Sequence, residues 1–164
     1  MARASRSVPT YRFLNIWLIE APRPRVWDVL QDATDWPSWW RGVVSVTEVH
    51  PGGEDRVGAR YAIVWRSRVP YPVRFEFTVD RVDPPRTMEG RATGDLEGRG
   101  RWRLMEDDGV TAVIYEWEVS TSKRWMNLVA PIARSVFERN HGVVMGWGGD
   151  GLARRLSVRL LASG

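Results

Sequence analysis

Two side chains of this 164-residue chain could move a proton inside an apolar environment, His141 and Tyr115. His141 follows Phe137 by one helical turn and precedes Met145 by one, so the three share a helix face. A neutral imidazole there could serve as acid or base toward an enolisable ketone, the chemistry of aldol cyclisation and dehydration. The competing reading is a buried histidine satisfied by a single hydrogen bond, and Asn140 beside it serves either account. Asp95 and Glu97 in GDLEG resemble a carboxylate pair. Flanking Gly94 and Gly98 instead predict a tight hairpin, with the acids capping a turn or pairing with Arg99 or Arg101.

The elements that must position these groups follow from alternation, since neighbouring side chains of a strand face opposite ways. From Gly58 to Val69, Tyr61, Ile63, Trp65 and Val69 share one parity, against Arg60, Arg66 and Arg68. Val73, Phe75, Phe77 and Val79 do the same against Arg74, Glu76, Thr78 and Asp80. So do Gly98, Gly100, Trp102 and Leu104, and then Val113, Tyr115, Trp117 and Val119, set against Glu116 and Glu118 on the other face. A weaker run spans 86–93. Together these predict an antiparallel meander with one wet face. Its dry face carries Tyr61, Trp65, Phe75, Phe77, Trp102, Tyr115 and Trp117, which read either as core or as the wall of a cavity.

Before the meander, residues 11–20 read as a first strand, and Pro22 and Pro24 open a helix carrying Val26, Trp27, Val29 and Leu30. Asp35 is placed to cap a second short helix bearing Trp39 and Trp40, either a plug or a gate to the cavity, with a slight preference for a gate. Arg41 could meet an anionic head group or simply face solvent. Residues 43–50 form another strand. From Trp125 on the period becomes helical, through Val129, Ile132, Val136, Phe137, Val144, Met145, Leu152, Leu156 and Leu160. Pro131 falls in the first turn of a helix of about 30 residues. Gly146, Gly148, Gly149 and Gly151 weaken it and call for a kink or a close approach to the sheet or a ligand.

Composition narrows the classes of function. No cysteine is present, which excludes disulfides and thiolate chemistry, and two histidines do not suit a histidine-rich metal site. The net charge of +4 comes from arginines interleaved with acids on the wet strand faces, as expected of a solvated surface rather than a nucleic-acid footprint. No apolar run approaches the ~20 residues of a membrane span, and residues 1–10 lack the apolar core of a signal peptide. The expectation is a leader (residues 1–10) followed by one domain (11–164), cytoplasmic, with monomer and homodimer both open.

The order of strand, two short helices, six strands and long helix resembles the helix-grip fold of the START and birch-pollen-allergen superfamily. VWDVLQDATDWPSWWRGV at residues 26–43, TGDLEGRGRW at 93–102, VIYEWEVST at 113–121 and NHGVVM at 140–145 are similar to the bacterial polyketide cyclase/dehydrase-like (SRPBCC) branch. The resemblance implies an α+β fold, a seven-stranded curved antiparallel sheet wrapped around the C-terminal helix. It also implies a cavity for a lipid, sterol, quinone or aromatic polyketide, used without a cofactor. On that basis Tyr61, Trp65, Phe75, Phe77, Trp102, Trp117, Phe137, Asn140, Met145 and Trp39 are candidate ligand contacts, and His141 and Tyr115 candidate proton-transfer groups. The implied partner is a hydrophobic small molecule, with cyclase/dehydrase chemistry, a carrier or sensor role, and an outer-surface interaction role as rivals.

Overall fold

Ten residues of high strand propensity open the described chain and become the strand on which everything else is hung. The computed structural model describes residues 10–121 and 130–164, with only the backbone of 130–133. Residues 1–9 of the expected leader (1–10) and the helical positions before Ala130, Val129 among them, lie outside the described residues, while Thr10 already belongs to the first strand. Strand β1 (Thr10–Ile19) is followed by α1 (Arg23–Gln31), a 3-10 turn (Ala33–Asp35) and α2 (Trp36–Trp39). Then come β2 (Val43–His50), β3 (Arg60–Trp65), β4 (Val73–Asp83), β5 (Thr87–Gly94), β6 (Leu96–Asp107) and β7 (Val110–Thr121). A long helix α3 (Ala130–Leu156) and a last strand β8 (Leu160–Ser163) complete the order.

The eight strands of the described residues form one antiparallel sheet, ordered β2-β3-β4-β5-β6-β7-β1-β8. The expected seven strands are therefore one too few. Leu160, read as the end of the helical stripe, instead pairs with Ile19 in β8. The helix stops at Leu156, where Ser157 takes a positive φ of 57° and the Val158 N–H returns to the Ala153 carbonyl. That is a helix-closing turn, and it reverses the chain onto the free edge of β1. A three- and four-residue recurrence of leucines cannot distinguish such an ending from one more turn of helix. Val69 is a second correction: β3 ends at Trp65, and Val69 lies in the following loop. Register shifts at Leu18/Ile19, Val43/Ser45, Glu48/His50 and Val79/Arg81 mark the irregularities that bend strands of a curved sheet.

The parity holds along the meander. Tyr61, Ile63, Trp65, Phe75, Val79, Trp102, Leu104, Val113, Tyr115, Trp117 and Val119 are buried, with Phe77 half-buried beside them. The opposite face is laced by ion pairs: Arg91 with Asp80, Arg12 with Glu118, and Arg101 and Arg103 with Glu116. Being exposed, these pairs contribute little to stability individually. Asp95 serves the turn. Its carboxylate accepts the Arg74 N–H at 3.0 Å, tying the β5–β6 connection to the start of β4.

Glycines decide how closely the layers approach. The helix runs unbroken through its glycine cluster, and the cluster answers to the tryptophans beneath it. A Cβ on Gly148 would stand 2.5 Å from Trp40 Cε2 and 2.8 Å from Trp17 Cη2, and one on Gly149 3.0 Å from Trp17. At Gly151 it would collide with the Trp39 carbonyl, while at Gly146 it would meet nothing within 4 Å. The same device flattens the sheet floor, where Phe77 lies over Gly90 and Trp117 over Gly100.

The two kinds of helical glycine should therefore respond oppositely. Gly151→Ala is expected to lose about 1–3 kcal/mol through overpacking against an immovable backbone. Gly146→Ala is expected to gain up to ~1 kcal/mol from helix propensity. Denaturant melts of the two variants check this, and equal effects of the same sign would refute the close-approach account.

Candidate functional site

Helix α3 lies along the inner face of β1, and the pairings run in step. Phe137 packs on Tyr11 and Phe13 with ring centroids 4.7 and 5.6 Å apart. His141 stacks on Phe13 at 4.0 Å and 21°, and Gly148 and Gly149 sit on Trp17. From His141 to Gly149 the helix advances about 12 Å and from Phe13 to Trp17 the strand about 13 Å, so the two elements stay matched along this length.

Two polar groups meet on this seam, and the strand register sets a third residue, Tyr115, beside them. His141 Nε2 lies 2.8 Å from Asn15 Oδ1. Asn15 on β1 stands directly opposite Tyr115 on β7 in the strand register, and opposed side chains on one face of an antiparallel pair approach within about 5 Å at Cβ. His141 is 8% exposed, and burial alone pulls its pKa down to about 4, so the ring is neutral at physiological pH. Burial raises the Tyr115 hydroxyl well above the ordinary tyrosine range. Tyr115 thus keeps its proton and acts as a donor rather than a base. It makes no hydrogen bond to a described residue, and its ring is stacked between Trp102 at 4.1 Å and Trp117 at 5.7 Å.

Around this polar seam the wall is aromatic. Trp17 and Trp102 approach to 5.5 Å. Beyond Trp117 follow Phe75 at 5.9 Å and then Trp65, nearly perpendicular to Phe75 at 84°. The indole N–H groups of Trp17, Trp39, Trp65 and Trp117 are buried with no hydrogen-bond partner among the described residues. Unpaired buried donors cost about 1–3 kcal/mol each.

The remaining predicted contacts distribute as follows. Tyr61 is buried in β3, with burial raising its hydroxyl pKa. Met145 is buried under α3, and Asn140 is half-buried, one residue before His141. Trp39 stacks on Trp40 at 5.5 Å and 21° and is buried. Trp40 is fully buried and donates its Nε1–H to the Val144 carbonyl at 2.8 Å. In this conformation both rings are packed into the core. Asp35 precedes α2 without bonding its N–H groups; its carboxylate accepts from Ser38 and pairs with Arg155 of α3. Arg41 lies over the Trp147 ring, 4.4 Å from the centroid, a cation–π contact.

Asn15 is the residue that sequence reasoning missed. The signal was present: within YRFLNIWLIE it shares the parity of Tyr11, Phe13, Trp17 and Ile19, an amide in a row of rings. Among the described residues no group of three His, Asp or Glu side chains could hold a metal ion.

The sequence matches the family described as polyketide cyclase / dehydrase and lipid transport over residues 17–156, and the chain belongs to that family. No curated protein matches it. Among solved structures it is similar to a START superfamily protein from Mycobacterium smegmatis, with a TM-score of 0.72 at 9% identity over 89% of this chain and 97% of that one. It is also similar to the Zhui aromatase/cyclase from Streptomyces sp. R1128, with a TM-score of 0.67 at 15% identity over 90% and 96%. The di-domain ARO/CYC BexL of the BE-7585A biosynthetic pathway matches with a TM-score of 0.65 at 20% identity over 87% of this chain, which spans 50% of BexL. These likenesses establish the helix-grip fold.

The buried imidazole carries a pH signature. Below the ordinary histidine pKa of 6.5 the unfolded chain takes up a proton that folded His141 refuses until about pH 4. Stability contributed by this group is therefore complete above the unfolded value and is lost as pH falls between the two, by up to ~3 kcal/mol. Urea melts from pH 8 to 4 should show this slope in the wild type and a shallower one in His141→Phe. Parallel slopes would contradict a neutral, buried His141.

Proposed function

We propose that this protein binds a hydrophobic or aromatic small molecule, polyketide-like or lipid-like, between the inner sheet face and α3. The observation that carries the proposal is the run of rings from Trp17 through Trp102, Tyr115, Trp117 and Phe75 to Trp65. It is interrupted by one polar seam of neutral groups, Asn15, His141 and Tyr115. An aromatic wall with a few convergent polar groups suits a planar apolar ligand bearing carbonyl oxygens. The family's description and the aromatase/cyclase neighbours support the same class of ligand.

The chemistry supported by the seam is proton transfer without a cofactor, of the aromatase/cyclase type. A neutral imidazole can accept a proton from the carbon beside a ketone, while a hydroxyl that stays protonated can donate to the oxygen on which charge develops. The rings would restrict how the chain folds on itself. A carrier or sensor of lipid or quinone is the second reading, favoured by the unpaired Tyr115 hydroxyl, which a bound oxygen would satisfy without any reaction. An outer-surface interaction role predicts an exposed apolar patch including Trp36 or Trp40 together with a cavity filled by side chains; both tryptophans are buried. No described helix is long and apolar enough to cross a membrane, and we place the protein in the cytoplasm.

Native mass spectrometry of freshly purified protein, followed by organic extraction, tests the binding reading. A co-purifying apolar molecule is expected. An empty protein whose melting temperature does not respond to fatty acids, quinones and aromatic polyketides would overturn it. With a ligand in hand, Tyr115→Phe and His141→Ala should abolish turnover of a poly-β-ketone and retain affinity. Undiminished turnover in both would remove this proton-transfer mechanism.

A further inference from the structure

We propose that Asn15 is a positioning residue for His141: its side-chain oxygen holds the imidazole in the tautomer with hydrogen on Nε2, and so assigns the basic lone pair to Nδ1. An amide oxygen only accepts, so the 2.8 Å contact with Nε2 requires that nitrogen to donate. The stack on Phe13, 21° from parallel, fixes the plane of the ring. Turning the ring over would put Cε1 where Nε2 stands and break the bond to Asn15. Nδ1 makes no hydrogen bond to a described residue and is not among the fully occluded unpaired atoms, so its lone pair stays available.

Packing and strand propensity give no reason for an amide at this position. Every other inner residue of β1 is Tyr, Phe, Trp or Ile. Asparagine is disfavoured in strands, and an amide among rings is costly to desolvate without a partner. His141 is the partner that the structure supplies. The strand register adds Tyr115 alongside, so β1 aligns a proton acceptor on α3 with a proton donor on β7. Use of that lone pair in proton abstraction rests on the functional reading above; the tautomer assignment does not.

Long-range proton–nitrogen correlation spectra of ¹⁵N-labelled protein at pH 7 read the tautomer directly, with the other histidine removed by His50→Gln. One neutral pattern, protonated at Nε2, is expected for His141. Asn15→Leu should replace it with a tautomer mixture or the Nδ1–H form. Asn15→Asp should keep Nε2–H and move His141 protonation upward by about 1–3 pH units, as a neighbouring carboxylate does. An Nδ1–H pattern in the unmodified seam, or an unchanged one in Asn15→Leu, overturns the proposal. Should Asn15→Leu not fold, the parent spectrum and Asn15→Asp decide, and no upward shift in the latter counts against it. None of these readouts needs a ligand, so their failure and that of the binding reading are separable.

Discussion

The seating of α3 on the tryptophans at one end of the sheet is the constraint on which the remaining geometry depends. Trp40 donates from its indole to the Val144 carbonyl, and this is possible because Gly148 and Gly149 leave no side chain between the helix and the rings of Trp40 and Trp17. Once that end is fixed, the rise of a helix and the rise of a strand dictate what lies above what. His141 falls over Phe13 and Asn15, and Phe137 over Tyr11 and Phe13. The polar seam thus depends on glycines two turns away, and a change there would shift the imidazole as surely as a change beside it.

The aromatic wall follows from a different economy. Gly90 and Gly100 face each other across β5 and β6, and their missing side chains let Phe77 and Trp117 lie down on the sheet. Side chains at either position would collide with these rings, so the glycines fix how close to the sheet the aromatic wall lies. The outer face is ordinary by comparison, with arginine–carboxylate pairs across neighbouring strands and the charge of the chain spread among them.

Much of this was legible from residue order because a half-buried antiparallel sheet writes its register as a two-residue alternation. Tyr61, Phe75, Trp102 and Tyr115 could be assigned to one face without coordinates, and the 3.6-residue period placed His141 between Phe137 and Met145. Three things were not legible. Leu160 continued a helical spacing by coincidence, and only the backbone turn at Ser157 separates β8 from α3. The reason for the glycine cluster required knowing which rings lie beneath it. Asn15 stood out as an amide in a row of rings, but its significance depended on a partner 126 positions away, which β1 alone does not identify.

The central claim is that the inner aromatic face, and not the Trp39–Trp40 pair, is where a guest makes contact. Proton–nitrogen spectra of the tryptophan side chains test it directly, since each of the ten indoles gives its own signal. Titration with a naphthoquinone should shift Trp65, Trp102 and Trp117 and leave Trp27, on the outlying α1, unmoved. Shifts confined to Trp27, Trp36 and Trp147, or none at any concentration the quinone's solubility allows, would contradict the account.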